Sequence, residues 1–432
     1  MNSPIIYLLT IVVLFTILIA RFWHKRMFRV VLFYGIGAFI GATIYYTLIV
    51  YVLQKDTDYI NIEIGPLFYL FSIFIIMFIP FKKLNVSFDN LSENTCLITV
   101  FKKICIVSAI LSFILFIIDI ITLRTYSISS FASVYENRKI ESKNIVYYIG
   151  QLKYYISYFV IPLFFYFLRK GRSYKFYILC SAFSFLSSLV HQLTLGGRGT
   201  IVNYINYAVF FYVIYNKLIV YDLRNKLKKI TIILFAMLVV SLSIITWSRY
   251  STFETNEDTT IGLASWVALY IGEGPLAYST YMWNTEVLTE GDNSFSFVKN
   301  LLGYDTFKDN FERRLFWEVR QKIPNYIFYT VVGDIHSDIG PFLTVLFFVL
   351  LAWIVSNFIK KRNKMGWRLQ DFVLLQLYFE FVTMGVMVNC YKTYDSQWQI
   401  VCTIILCVVL NMLERNKSSN KYAKISNRNT CL

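Results

Sequence analysis

The chain has 432 residues, 57% of them hydrophobic and only 16% charged, with a net charge of +16. That balance excludes an ordinary soluble globular protein, and no polar stretch is long enough to fold around a core of its own. The positive charge is dispersed in short clusters along the chain, which argues for contact with anionic lipid headgroups and against nucleic acid.

The first apolar run, "PIIYLLTIVVLFTILIA", comes before its basic residues, "RFWHKR". A secretory leader carries its charge ahead of the apolar run, so this segment reads as an uncleaved helix over 4–20 with its N-terminus outside. Apolar runs of spanning length predict further helices over 28–53, 66–80, 104–122, 147–168, 176–195, 201–216, 230–247, 341–359, 372–389 and 398–413, about eleven in all. Every second connection is basic. Segments 21–29, 81–103, 169–175, 217–229, 360–368 and 414–432 carry four or five Lys and Arg each, together 27 of the 42 in the chain. The positive-inside rule makes these the cytoplasmic connections. The expected fold is an all-α polytopic membrane protein: one transmembrane domain over 1–413 and a basic cytoplasmic tail over 414–432 without structure of its own.

One expected external loop dominates, 248–332. It is rich in aromatic residues, among them Trp266, Tyr278, Tyr281, Trp283, Trp317 and Tyr329. Such rings stack on sugar faces or form an interfacial belt. Within it, "IGLASWVALYIGEGPL" is apolar enough for a twelfth span. A single extra crossing would place "KKRNKMGWR" outside, so the reading keeps this stretch as a re-entrant or interfacial helix. The seven cysteines show neither zinc spacing nor a paired framework and read as reduced thiols.

Two groups of residues carry chemistry. In "HQLTLGGRGT", Arg198 lies at the outer end of the sixth helix, and Arg124 and Arg249 follow the fourth and eighth helices on the same side. Arginine is less expected there, so each needs a reason. A guanidinium matches phosphate oxygens bidentately, and Gly196, Gly197 and Gly199 let the backbone approach an anion. A lipid-linked diphosphate fits such a site. The plainer reading has each arginine reaching to outer headgroups and the glycines making a turn. In "GDIHSDIGPF", Asp334, His336 and Asp338 fall within five residues. A histidine beside carboxylates acts as a general base near neutral pH; the plainer reading is a polar helix start. One histidine and two acids are a weak metal signal, and no metal is expected. Glu380 sits mid-helix, where a functional role competes with pairing to a Tyr or Lys, and Asp119 pairs most simply with Arg124. No phosphate-binding loop, dinucleotide fingerprint, HExxH or GxSxG is present. Chemistry on the outer side runs without ATP or cofactor, so its substrate arrives already activated.

The GGRG turn after a middle helix, the large outer loop and "GDIHSDIG" before the next helix resemble the O-antigen polymerases, the Wzy-type oligosaccharide repeat-unit polymerases. The hydrophobic plan covers nearly the whole chain. The resemblance implies an inverting, metal-independent glycosyltransferase of GT-C-like fold in the bacterial inner membrane. It would move a growing glycan from undecaprenyl diphosphate onto an incoming lipid-linked repeat unit of O-antigen, capsule or exopolysaccharide. Arginines like Arg198 and Arg249 would hold the diphosphate as it leaves. His336 resembles a loop histidine of the related O-antigen ligases; many polymerases lack it, which leaves Asp334, Asp338, Glu254 or Glu273 as substitute bases. The implied partners are lipid-linked donor and acceptor, a chain-length regulator and a flippase. A ligase shares this architecture. A flippase or transporter would instead place charges near the membrane midplane, where only Glu380 is expected.

Overall fold

The structure, a computed structural model, describes residues 4–54, 57–59, 61–86, 97–123, 145–194, 199–216, 218–219, 224–225, 227–229, 259–304, 307, 310–324 and 329–429. Among these residues there are helices and no strands. In chain order they are α1 (Pro4–Arg21), α2 (Arg26–Tyr46, continued by a π-helical turn Thr47–Val52), α3 (Ile64–Lys82), α4 (Ile98–Leu123), α5 (Ile145–Lys170), α6 (Lys175–Thr194), α7 (Gly199–Tyr215), α8 (Thr259–Ala277, continued by a π-helical turn Tyr278–Met282), α9 (Ser296–Leu301), α10 (Asn310–Gln321), α11 (Val331–Met365), α12 (Leu369–Gly385) and α13 (Tyr394–Asn429). Seven are long and apolar enough to cross a membrane: α1, α2 with its turn, α3, α4, the Arg172–His191 helix, α11 and the Tyr394–Glu414 part of α13. That is the composition of a polytopic membrane protein.

Two expectations meet the structure differently, and a third meets no described residue. The helix expected over 230–247 lies outside the described residues. In the expected loop 248–332, α8 falls on the stretch read as a re-entrant or interfacial helix, and α9 and α10 are helices beyond that reading. The tail over 414–432, expected without structure, continues α13 as helix to Asn429. The stretch 394–429 contains no Gly or Pro to stop it.

The chain divides into two compact units. One comprises Met1–Asn85, Asn256–Lys361 and Tyr378–Trp398; the other comprises Val86–Thr255, Arg362–Leu377 and Gln399–Leu432. In the first, α1, α2 and α3 pack through Phe15, Phe39, Phe74 and Phe78, all fully buried. Helix α8 lies along α2 so closely that backbones touch. A Cβ built on Gly272 would sit 1.9 Å from the amide nitrogen of Ala42, and one on Gly41 would sit 3.0 Å from that of Gly272. Only glycine permits this approach. The C-terminal end of α8 then meets the α2–α3 connection, where Tyr59 donates to Glu273 (3.0 Å), Tyr281 to the carbonyl of Asp58 (3.1 Å) and the Glu63 amide to Ser279 (3.0 Å). The substitute base Glu273 is thus already an acceptor, and burial followed by the Glu273 charge pushes the Tyr59 phenol well up.

Helix α11 is broken near its start. Gly340 adopts φ 80° and ψ 169°, and Pro341 follows without an N–H to bond backward. The break separates a buried segment, 331–339, from the long apolar remainder, and Tyr69 caps it by donating to the carbonyl of Pro341 (2.6 Å).

In the second unit α4, α5 and α6 pack together through pairs such as Phe101–Tyr166 and Phe116–Phe183. Their interior also holds Lys153, whose ammonium donates to Ser187 (3.1 Å).

Gly272→Ala is expected to cost about 3 kcal/mol or more, because the neighbour that must move is backbone. Gly37→Ala, at a position with open space around it, is expected to be neutral. Thermal unfolding of the two variants in detergent compares them; equal midpoints would contradict the close α2–α8 contact.

Candidate functional site

Asp334, His336 and Asp338 all lie on the buried segment of α11, each about 2% exposed. They do not converge. Residues four apart share a helix face, so Asp334 and Asp338 look one way and His336 looks another.

His336 enters a cage of rings: Tyr69, Tyr278 and Trp283 lie 5.8–6.1 Å from it between centroids, and Nδ1 shares a hydrogen bond with the Tyr278 hydroxyl (2.9 Å). The ring is therefore oriented by a phenol and not by a carboxylate. Asp338 is an anchor. It receives the hydroxyl of Thr289, the amide of Asn293 (3.0 Å) and the amide of Ser294 (2.8 Å). These bonds tie the connection after α8 to the start of α11, and Gln321 adds donations to Ser337 Oγ (2.9 Å) and to the carbonyl of Val287 (2.7 Å).

Asp334 is placed differently. Its Oδ1 accepts from the ammonium of Lys392 at 2.6 Å, and its side chain lines a cavity of about 50 Å³. The other walls include Asn293, Arg314, Trp317, Glu318, Gln321, Tyr329 and Lys392. Burial pulls the Lys392 ammonium down and Asp334 draws it back up. Burial, and then the Asp334 charge, pushes the Tyr329 phenol well up, so it stays a neutral donor.

Helix α10 supplies one wall because of its period. Its sequence "NFERRLFWEVRQ" alternates so that Arg313, Trp317 and Gln321 share the inner face, while Leu315, Phe316 and Val319 are exposed. Arg313 is 4% exposed and donates to the carbonyls of Asp292 (3.1 Å) and Lys392 (3.0 Å). Trp317 donates its ring N–H to Asp292 Oδ2 (3.2 Å), and Asp292 is also paired with Lys299. From the last helix, Gln397 accepts from the Phe297 amide (2.8 Å) and donates to the Tyr391 carbonyl (3.0 Å).

Other expected residues fall elsewhere. Arg124, Arg198, Arg249, Gly196, Gly197 and Glu254 lie outside the described residues; Gly199 opens α7 in the second unit. Glu380 accepts from Tyr391 (2.7 Å), a tyrosine partner as expected, supplied by the α12–α13 connection. Asp119 pairs with His191 at 2.8 Å in the second unit; Arg124, its expected partner, is not among the described residues. Sequence reasoning missed Lys392, Arg313, Arg314 and His191. The first three are cations within the expected outer region, so the question asked of Arg198 applied equally to them.

Compared with family models, curated proteins and solved structures, the chain matches none.

Asp338→Ala removes a buried acceptor of three hydrogen bonds and is expected to lower stability by about 3 kcal/mol. The check is thermal unfolding followed by circular dichroism. An unchanged midpoint would mean that Asp338 is not the tie between these segments.

Proposed function

We propose that the chain polymerises lipid-linked oligosaccharide repeat units on the outer face of a bacterial inner membrane, as a metal-independent glycosyltransferase without cofactor. One observation carries the reading: a buried carboxylate, Asp334, lines a cavity together with cations and a tryptophan. Sugar rings stack on aromatic faces, and a carboxylate within reach of a sugar hydroxyl serves as general base.

In this reading Asp334 takes the proton of the acceptor hydroxyl as that oxygen attacks the anomeric carbon. The bond to the lipid diphosphate breaks, and the attack inverts the anomeric centre. Lys392 holds the carboxylate in place through Oδ1, while the amide oxygens of Gln321 and Asn293, whose nitrogens are engaged within the protein, accept from sugar hydroxyls. The leaving diphosphate gains charge in the transition state and calls for guanidinium donors. Arg198, Arg249 and Arg124, with Gly196, Gly197 and Gly199, remain its assigned holders on the ground of the sequence alone. The outside N-terminus, the about eleven crossings and the GT-C-like plan belong to the same reading. So do a chain-length regulator and a flippase as partners, and an O-antigen, capsule or exopolysaccharide product.

A second reading has an observation of its own. Lys153 and Asp119 are buried on helices α5 and α4, so Glu380 is not the one ionisable group enclosed among helices. Buried ionisable groups on membrane helices suit a flippase or transporter.

Deleting the gene and separating the surface glycan and the lipid-linked pool on a gel decides between them. Collapse of a ladder to single repeat units, still exposed outside, is the polymerase outcome. Repeat units trapped inside the cell would establish a flippase, and long chains left on the lipid carrier a ligase. Within the polymerase reading, Asp334→Asn is expected to slow chain extension by about 10²–10⁴-fold at normal protein level. Arg198→Lys is expected to impair it as well, because an ammonium lacks the bidentate fork. Wild-type chain length in Asp334→Asn would place the base elsewhere.

A further inference from the structure

We propose that the outward face of α10, together with α9, is sunk into the leaflet that α11 enters at Phe342, so that the partner of this surface is membrane lipid. The inference does not rest on the polymerase reading, nor on which side of the membrane faces out.

Helix α10 is turned the wrong way round for a helix in water. Its polar inner face is engaged with the protein: Arg313 with two carbonyls, Trp317 with Asp292, Gln321 with Ser337 and Val287. Its apolar face looks away from the protein. Leu315, Phe316 and Val319 are exposed, Val319 by 79%. A helix on a soluble protein buries that stripe. A helix that is polar on average, with its apolar residues gathered on one side, is the kind that lies in a membrane interface. Glu312, in the first turn, is exposed on the same side, so the later turns carry the apolar surface. In α9, Val298, Leu301 and Leu302 are exposed as well, Leu302 by 69%.

Continuity decides what covers this surface. Gln321, at the end of α10, donates to the carbonyl of Val287 (2.7 Å). Leu288, the next residue, packs over the break in α11: a Cβ built on Gly340 would meet its methyl carbons at 4.0 Å. The end of α10 therefore stands where the apolar length of α11 begins, beside Phe342, itself 79% exposed. Phe295, which leads into α9, meets Phe347 at 5.8 Å between centroids, and Phe297 meets Trp398 at 4.8 Å, near the start of the spanning part of α13. Phe347 lies about 9 Å beyond Pro341 along α11. The exposed side chains of α9 and α10 thus continue the lipid-facing surface of a spanning helix. Two exposed cations suit the headgroups above it. Arg320 lies over the Phe316 ring (4.0 Å to its centroid), and Lys322 follows; such stems run along apolar surface and carry the charge to a phosphate. Trp317 and Gln321, on the other side of α10, line the cavity, which places the cavity at headgroup level.

Depth-resolved quenching of the full chain in nanodiscs of phosphatidylethanolamine and phosphatidylglycerol tests this. A fluorescent amino acid replaces Val319, Leu302, Phe342, Leu350 or Asp58, one position per variant, all of them exposed. The quenchers are lipids brominated near the headgroup end or near the methyl end of the acyl chain. Positions 319 and 302 are expected to be quenched about as strongly as 342 and at least about threefold more than 58, in the α2–α3 connection, with the shallow bromine the better quencher because an interfacial helix sinks only about 5–10 Å. Position 350, about 12 Å beyond 342 along α11, should prefer the deep bromine. Quenching at 319 and 302 no stronger than at 58, with 342 quenched, overturns the proposal. A photo-crosslinking amino acid at 319 in whole cells then identifies the neighbour. Phospholipid adducts are expected there, as at 342. Capture of a second copy of this chain or of another protein, without lipid adducts, overturns the proposal as well. Neither readout involves turnover, so the polymerase reading stands or falls separately.

Discussion

The contact on which the first unit depends is backbone against backbone, at Gly272 of α8 and Gly41–Ala42 of α2. Two helices that close leave no room for a side chain between them, and the register of one along the other is set to within a residue. Everything at the end of α8 inherits that register. Tyr278 reaches His336, Glu273 receives Tyr59, and the chain leaving Met282 begins at a fixed place relative to the buried start of α11. A lipid solvent gives no hydrophobic reward for pushing two apolar helices together, so close contact of small residues is one of the few ways to fix such a pair.

The buried start of α11 shows how one turn of helix divides two identical side chains between tasks. Asp338 accepts a hydroxyl and two amides and is engaged in holding residues 289–294 in place. Asp334, four residues earlier, has one oxygen on Lys392 and lines open space. The anchor serves the cavity: by fixing Asn293 and Ser294 it fixes the wall that Asn293 contributes. It also sets the path into α9, which Gln397 grips from the start of α13. The Gly340–Pro341 break makes this possible. It ends the buried segment before the long apolar part of α11 begins, so polar and apolar requirements never compete for the same turn.

Much of this was legible in sequence where the signal is local. Apolar runs gave the spans to within a few residues: the helix expected over 66–80 is Ile64–Lys82, and that over 176–195 is Lys175–Thr194. The importance of "GDIHSDIG" was also visible, since acids at an apolar helix are costly wherever they lie. What was not legible is long-range. The crossing count makes the α8 stretch a re-entrant or interfacial helix, but topology is blind to its packing on a partner some 230 residues earlier. The cavity draws on residues 282 to 392 in five separate stretches, and no spacing rule ties Arg314 to Lys392. The role of each α11 residue was hidden as well. Three polar side chains within five residues look like one cluster in a string of letters, and the helix turns them to two sides.

The amphipathic helix α10 follows from the same geometry and shows what its charges are for. A step of one residue turns the helix by about 100°. Arg313 is therefore buried while Arg314 is exposed, although they are neighbours and chemically alike. The inner face is committed: Arg313 to two carbonyls, Trp317 to Asp292, Gln321 to Val287 and Ser337. A helix held at positions 313, 317 and 321 cannot roll, because each bond fixes a different turn. The residues at 314 and 318 are carried to the cavity edge by that constraint and need no bonds of their own to be in place. Arg314 is exposed there and forms no ion pair among the described residues, so its place follows from the frame alone.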